Sequence, residues 1–150
     1  MSILKDLMPL IKEAMKAKDQ MALAGLRAIK SEVLKAKTAA GATEELTEDE
    51  EIKLLQRLVK QRRDAAAIYR EQDRGDLLKD EEDQADVIAQ FLPKQMSSEE
   101  LEASLKEIIA QVGAAGPKDM GKVMGMANKN LAGKAEGRAI ADTVKRLLTN

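Results

Sequence analysis

The chain has 150 residues, with 25 basic and 26 acidic side chains, so its formal net charge is -1. Hydrophobic residues make up 44% of the chain and charged residues 34%, a composition typical of a soluble folded protein. The chain has no cysteine, no histidine and no tryptophan. These absences exclude disulfides, zinc fingers, thiol nucleophiles and the Ser-His-Asp triad.

The beginning of the chain and its apolar runs indicate a compartment. Residues 1–6 do not show the basic segment followed by an apolar segment that is typical of a secretory signal. No apolar run approaches the roughly 20 residues that a membrane-spanning helix needs. We therefore expect a cytoplasmic protein that does not span a membrane.

Helical spacing dominates the first third of the chain. Apolar residues recur three or four positions apart, which places each set on one face of a helix: Ile3, Leu4, Leu7, Met8, Ile11 and Met15, then Leu23, Leu26, Ile29 and Val33. Pro9 removes one backbone hydrogen bond, so we expect a kink or a late start in the first helix. Asp19 is a suitable N-cap for the second.

A capping box predicts the start of the third helix. Thr47 and Glu50 have the required spacing, in which each side chain bonds the other residue's backbone N–H. Because a short loop separates the second and third helices, we expect them to pack antiparallel. A fourth helix follows the turn at Gly75 and ends before Pro93.

Three shorter helices are predicted after residue 94. Ser97 and Glu100 have capping-box spacing, and Gly113 is placed to end the helix that they begin. Two further helices are predicted at about 119–132 and 136–148 from their apolar spacing. The predicted fold class is therefore all-α, with an N-terminal antiparallel helical domain, residues 1–93, and a compact three-helix C-terminal module, residues 94–150.

Glycine and positive charge are concentrated late in the chain. Residues 113–150 hold seven basic and three acidic side chains, and six of the nine glycines lie between Gly113 and Gly137. Such a local cationic surface can recruit a polyanion by releasing its counterions. Residues 116–122 also fit the phosphate-loop spacing GxxxxGK, but Val123 stands where Ser or Thr would hold Mg²⁺, and a helix precedes in place of a strand. We reject nucleotide hydrolysis on these grounds.

Gly121 and Gly125 lie one turn apart inside a predicted helix, where each costs about 0.5 to 1 kcal/mol relative to alanine. One interpretation is close packing of a neighbouring helix, and the other is close approach of a nucleic-acid backbone; the two are compatible if each glycine serves one of them. On the second interpretation the RNA-binding residues are Lys118, Gly121, Lys122, Gly125, Lys129, Gly133, Lys134 and Arg138.

Other clusters give weaker indications. The basic stripe Lys53, Arg57, Lys60 and Arg63 is interpreted as a solvated helix face. The carboxylates of 48–51 and 80–83 do not converge on one point, so we predict no metal site, no cofactor and no catalytic residue. Only Tyr69 and Phe91 are aromatic, which leaves too few rings to stack unpaired bases; folded RNA is the better candidate ligand.

Several motifs together resemble the GatB/YqeY family over essentially the whole chain. They are Leu26-Arg27 with Ile29 and Ser31, Lys60-Gln61-Arg62 followed by Tyr69, Arg74-Gly75-Asp76-Leu77, Phe91-Leu92-Pro93-Lys94-Gln95, Asp119-Met120-Gly121-Lys122-Val123-Met124-Gly125 and Gly133-Lys134-Ala135-Glu136-Gly137. The likeness is strongest to free-standing YqeY-like proteins. The last third resembles the tail domain of GatB, a component of the glutamyl/aspartyl-tRNA amidotransferase.

The resemblance implies that residues 94–150 associate with transfer RNA (tRNA) and that the chain itself catalyses nothing. Phe91 stands where this family commonly has Tyr, and Glu136 where it commonly has Asp. Two alternatives stay open. In the first alternative, the chain is an accessory subunit that docks a tRNA amidotransferase or an aminoacyl-tRNA synthetase. In the second, it is a carbon-nitrogen ligase that uses glutamine as amide donor.

Overall fold

The structure is a computed structural model that describes residues 3–39, 41 and 45–149. Over these residues it contains seven α-helices, one 3-10 turn and no strand, so the predicted all-α class is confirmed. The helices are α1 (Ile3–Ala17), α2 (Gln20–Ala39), α3 (Glu48–Glu71), α4 (Gly75–Ala89), α5 (Ser98–Val112), α6 (Met120–Asn130) and α7 (Gly137–Thr149). The 3-10 turn, Pro117–Asp119, directly precedes α6.

Contacts divide the chain into two compact units, Met1–Leu92 and Pro93–Asn150. The first unit contains α1 to α4, and its core is built from buried aliphatic side chains such as Leu7, Ile29, Leu55 and Ile88. The second contains α5 to α7 and has a separate aliphatic core around Leu105, Val123 and Val144. Each unit thus buries its own helix faces.

The turn between α1 and α2 is closed by local bonds. Lys18 adopts a left-handed backbone, φ 56°, and the N–H of Asp19 donates to the carbonyl of Ala14 at 3.0 Å. The Asp19 carboxylate accepts the N–H of Ala22 at 3.1 Å, so the predicted cap is confirmed. Helix α1 starts at Ile3 and runs through Pro9, which shows that a late start was wrong. Pro9 is exposed, and water can reach the carbonyl that its missing N–H leaves without a partner.

The capping box of α3 is present as predicted. Thr47 Oγ1 accepts the N–H of Glu50 at 3.2 Å, and a Glu50 carboxylate oxygen accepts the N–H of Thr47 at 2.8 Å. Helix α4 packs on both α2 and α3. Two charged pairs, Arg63 with Asp86 at 2.7 Å and Arg70 with Glu82 at 2.8 Å, cross from α3 to α4 and fit an antiparallel pair.

Gly25 lies where α2 and α4 approach each other closely. A Cβ atom at Gly25 would lie 2.9 Å from Cγ1 and 3.1 Å from Cβ of Val87, and 3.4 Å from the carbonyl oxygen of Gln84. Valine is stiff at χ1, so it cannot easily rotate away. This glycine therefore serves packing, although sequence analysis did not single it out.

The second unit begins with a capped helix. Ser97 Oγ accepts the N–H of Glu100 at 3.1 Å, which confirms the forward bond of the predicted capping box. Gly113 ends α5 in the left-handed conformation, φ 67° and ψ 31°, as predicted. Helices α6 and α7 pack on each other and both pack on α5. Their observed bounds fall within two residues of the predicted ones at each end.

We predict that Gly25→Ala destabilises the protein even though alanine favours helix. The added methyl group overpacks against Val87, which costs about 1 to 3 kcal/mol. The higher helix propensity of alanine offsets only about 0.5 to 1 kcal/mol of this cost. Urea titration should show a lower free energy of unfolding. In a Val87→Ala background the cost of Gly25→Ala should shrink, because the nearest atom is gone. A variant that is as stable as the wild type in both backgrounds would contradict the packing role of this glycine.

Candidate nucleic-acid interface

Helix α6 has one buried side and one exposed side. Val123 and Ala127 are fully buried in the core of the second unit. With 3.6 residues per turn, the positions opposite them are 121, 122, 125, 128 and 129. All five are exposed. Burial of Val123 and Ala127 therefore places this side of the helix in solvent. We call Gly121, Lys122, Gly125, Asn128 and Lys129 the outer face of α6.

The two glycines of the outer face do not pack on anything that the structure describes. A Cβ atom built on Gly121 or on Gly125 would meet no heavy atom within 4 Å. The hypothesis that a neighbouring helix of this chain packs on them is therefore wrong. The reason is geometric, since the core residues of α6 lie on its opposite side. The glycines leave bare backbone on an open surface.

Lys118 precedes the outer face by one turn and is exposed in the 3-10 turn. Within α6 the helix spacing places Lys122 and Lys129 on the same side as the two glycines. Asn128 shares this surface and was missed by sequence analysis, although its spacing of three from Gly125 is the signal that would have found it. Its amide group is a hydrogen-bond donor that suits a phosphate or sugar oxygen.

The remaining predicted residues lie beyond α6. Lys134 is exposed in the turn between α6 and α7, and Arg138 is exposed in the first turn of α7. Gly133, by contrast, is buried and has a left-handed backbone, φ 76°. That conformation accounts for a glycine at this position without a ligand.

The turn that carries Lys134 is anchored by the segment before α5. Gln95 Nε2 donates to the carbonyl of Gly133 at 2.6 Å, and the N–H of Met96 donates to the carbonyl of Lys134 at 2.8 Å. Two of the sequence motifs, residues 91–95 and 133–137, are thus joined by hydrogen bonds. Sequence analysis had given Gln95 no such role, because only the folded chain brings residues 38 positions apart together.

The cations of this region are not neutralised by carboxylates. Lys118, Lys122, Lys129, Lys134 and Arg138 form no ion pair with any residue that the structure describes. In the predicted solvated stripe on α3, Lys53 likewise has no ion pair with a described residue, but the other three cations are paired: Arg57 with Glu32 at 3.4 Å, Lys60 with Asp64 at 2.8 Å and Arg63 with Asp86 at 2.7 Å. The cations of residues 118–138 are therefore open to a ligand, whereas three of those on α3 are already paired.

Neither a metal-ion site nor a membrane-spanning helix is found among the described residues. Among these residues no group of three or more carboxylates is placed to hold a metal ion. No helix within the described ranges is long and apolar enough to cross a bilayer. Residues 116–122 form a loop, a 3-10 turn and the start of α6 after helix α5, so the strand that a phosphate loop requires does not precede them.

Comparison with known proteins identifies the family. The model of the family described as Yqey-like protein matches residues 4–148, which is nearly the whole chain. No curated protein matches the sequence. The match agrees with the resemblance drawn from the motifs of all three thirds of the chain. The chain therefore belongs to the YqeY-like protein family.

Proposed function

We propose that this protein binds structured RNA, with tRNA as the leading candidate, through residues 94–150. The binding surface comprises the outer face of α6 together with Lys118, Lys134 and Arg138. The observation that carries this proposal is the open glycine surface flanked by cations that have no carboxylate partner among the described residues. The proposed function contains no chemical step.

Electrostatics favours a polyanion on this surface. A cation that forms no ion pair keeps its counterions until a phosphate replaces them, and their release favours binding. Five such cations lie within residues 118–138. On α3, the cations Arg57, Lys60 and Arg63 are already paired with acids and would have to break those pairs first. Residues 118–138 are thus better suited to bind phosphate than the paired cations of α3.

The glycines favour close approach of a sugar-phosphate backbone. Where Cβ is missing, a ligand backbone can lie against the helix and meet lysines on either side. Residues 93–150 contain no aromatic side chain, so stacking of unpaired bases is not the mode of binding. Shape and backbone contacts, which proteins use to recognise folded RNA, fit this surface better.

The likeness to the amidotransferase tail domain supports tRNA as the RNA in question. We propose residues 94–150 as a tail-like domain on the same grounds. An exposed glycine surface also suits a helix of a partner protein, such as an amidotransferase or synthetase component. Pull-down with and without nuclease separates these cases, because a protein partner stays bound after the RNA is digested.

We predict that Lys122→Glu combined with Lys134→Glu weakens binding to total tRNA. Two phosphate contacts are lost, so the slope of log K against log salt concentration should fall in magnitude by about 2. Filter binding over a salt series measures both quantities. The matched control is Lys5→Glu with Lys12→Glu, since both residues are exposed on α1 and pair with no described acid. Equal losses in both double variants would show a general charge effect and count against this surface.

Gly125→Ala should separate stability from binding. The methyl group has free space, so the variant should gain about 0.5 to 1 kcal/mol of stability from helix propensity. The same methyl group keeps a ligand backbone away, so tRNA affinity should fall, and Gly125→Leu should lower it further. Ala103→Leu, at an exposed position of α5, is the control for added bulk. Unchanged affinity in Gly125→Leu would exclude close approach at this glycine.

A further inference from the structure

Asp119 is an acid within the cationic region, between Lys118 and Lys122 in sequence. On Coulomb's law alone, its charge should repel a phosphate and weaken binding. A common reason for an aspartate at this place is N-capping of the following helix. The Asp119 side chain makes no capping bond to α6, so this reason does not apply.

The Asp119 carboxylate bonds the preceding loop instead. One of its oxygens accepts the N–H of Ala115 at 2.8 Å. Its own backbone N–H donates to the carbonyl of Gly116 at 3.0 Å. Side chain and backbone of one residue therefore close the loop from Ala115 to Lys118. Because Lys118 lies between the bonded residues, its backbone position is fixed by them.

We propose that Asp119 is a positioning residue of the RNA surface. Its carboxylate holds the Ala115–Lys118 loop so that Lys118 stays next to the N-terminal end of α6. This inference rests on the proposed function. It explains why a negative charge is present where a polyanion binds: the bond to the Ala115 amide orders a cationic side chain that would otherwise sit on a mobile loop. The ordering outweighs the repulsion.

The ionisation of Asp119 agrees with this role. The pKa of Asp119 lies below its ordinary value, chiefly because the Ala115 amide donates to the carboxylate. The Gly116 amide and the charge of Lys122 lower the pKa as well, whereas partial desolvation opposes them. Because the pKa of Asp119 is lowered, the bond contributes its full stabilisation at pH values above the ordinary pKa of an aspartate. This stabilisation is lost as the pH falls through the pKa that Asp119 has in the folded protein. The loop is therefore held throughout the neutral range.

The test compares Asp119→Ala with Asp119→Asn in the full chain, using total tRNA. Asp119→Ala removes the acceptor, so affinity should fall about three- to tenfold, the effect of losing roughly one hydrogen bond, even though a negative charge is removed. Asp119→Asn keeps an acceptor oxygen and should retain at least wild-type affinity. Asp142→Ala, at an exposed acid of α7 that pairs with no described cation, is the matched control and should bind slightly tighter.

The outcomes distinguish the two proposals. Asp119→Ala binding as tightly as the wild type, or more tightly, overturns the positioning role and leaves RNA binding intact. An equal loss in Asp119→Asn also overturns it, because the acceptor oxygen would then not be what matters. Failure of the wild type to bind tRNA refutes the proposed function itself. Circular dichroism checks folding, and amide exchange at Ala115 reports the bond directly, with faster exchange expected in Asp119→Ala alone.

Discussion

Burial of one aliphatic stripe per helix decides which surfaces this protein leaves to solvent. With one tyrosine, one phenylalanine and no tryptophan in the chain, the cores are built from Leu, Ile, Val and Ala. In the second unit, Val123 and Ala127 fix the rotation of α6, since both are fully buried. The glycines and lysines on the opposite side of α6 therefore lie at the surface. The candidate interface is thus a direct consequence of core packing.

Helix α3 and residues 118–138 differ in how their cations are paired. In the first unit, cations of α3 are paired with acids on α2, on α3 itself and on α4, which ties neighbouring helices together at the surface. Exposed pairs of this kind contribute little stability each, but they neutralise the charge that a ligand would meet. Among the described residues of the second unit, both ion pairs involve Glu102, and they leave the cations of residues 118–138 without partners. The candidate interface therefore carries a small excess of positive charge that no ion pair cancels.

The glycines of this fold differ in their surroundings. Gly25 allows α2 and α4 to approach, and Gly113 and Gly133 adopt left-handed turns. Gly121 and Gly125 do neither, since they lie in ordinary helix with open space around them. A helix loses stability at such positions. The proposed contact with a ligand backbone would account for glycine at both positions.

The sequence by itself determined the helical class, most helix ends and the family. Local signals were sufficient for these features: the spacing of Leu and Ile along each helix, the caps at Asp19, Thr47 and Ser97, and the stop at Gly113. They succeed because the interactions that they describe lie within four residues of one another. The excess of positive charge in residues 113–150 also follows from the sequence, because it requires only a count of basic and acidic residues.

Tertiary structure alone decided how the remaining residues act. The sequence presented Gly121 and Gly125 as candidates for packing, while Gly25 drew no notice, yet of these three only Gly25 has a neighbour close enough to exclude a side chain. Gln95 and Gly133 meet across 38 positions, and the pairing state of each lysine depends on which helix lies beside it. Such contacts are set by how the helices pack in three dimensions. Periodicity along one helix specifies its buried face but carries no information about its neighbour.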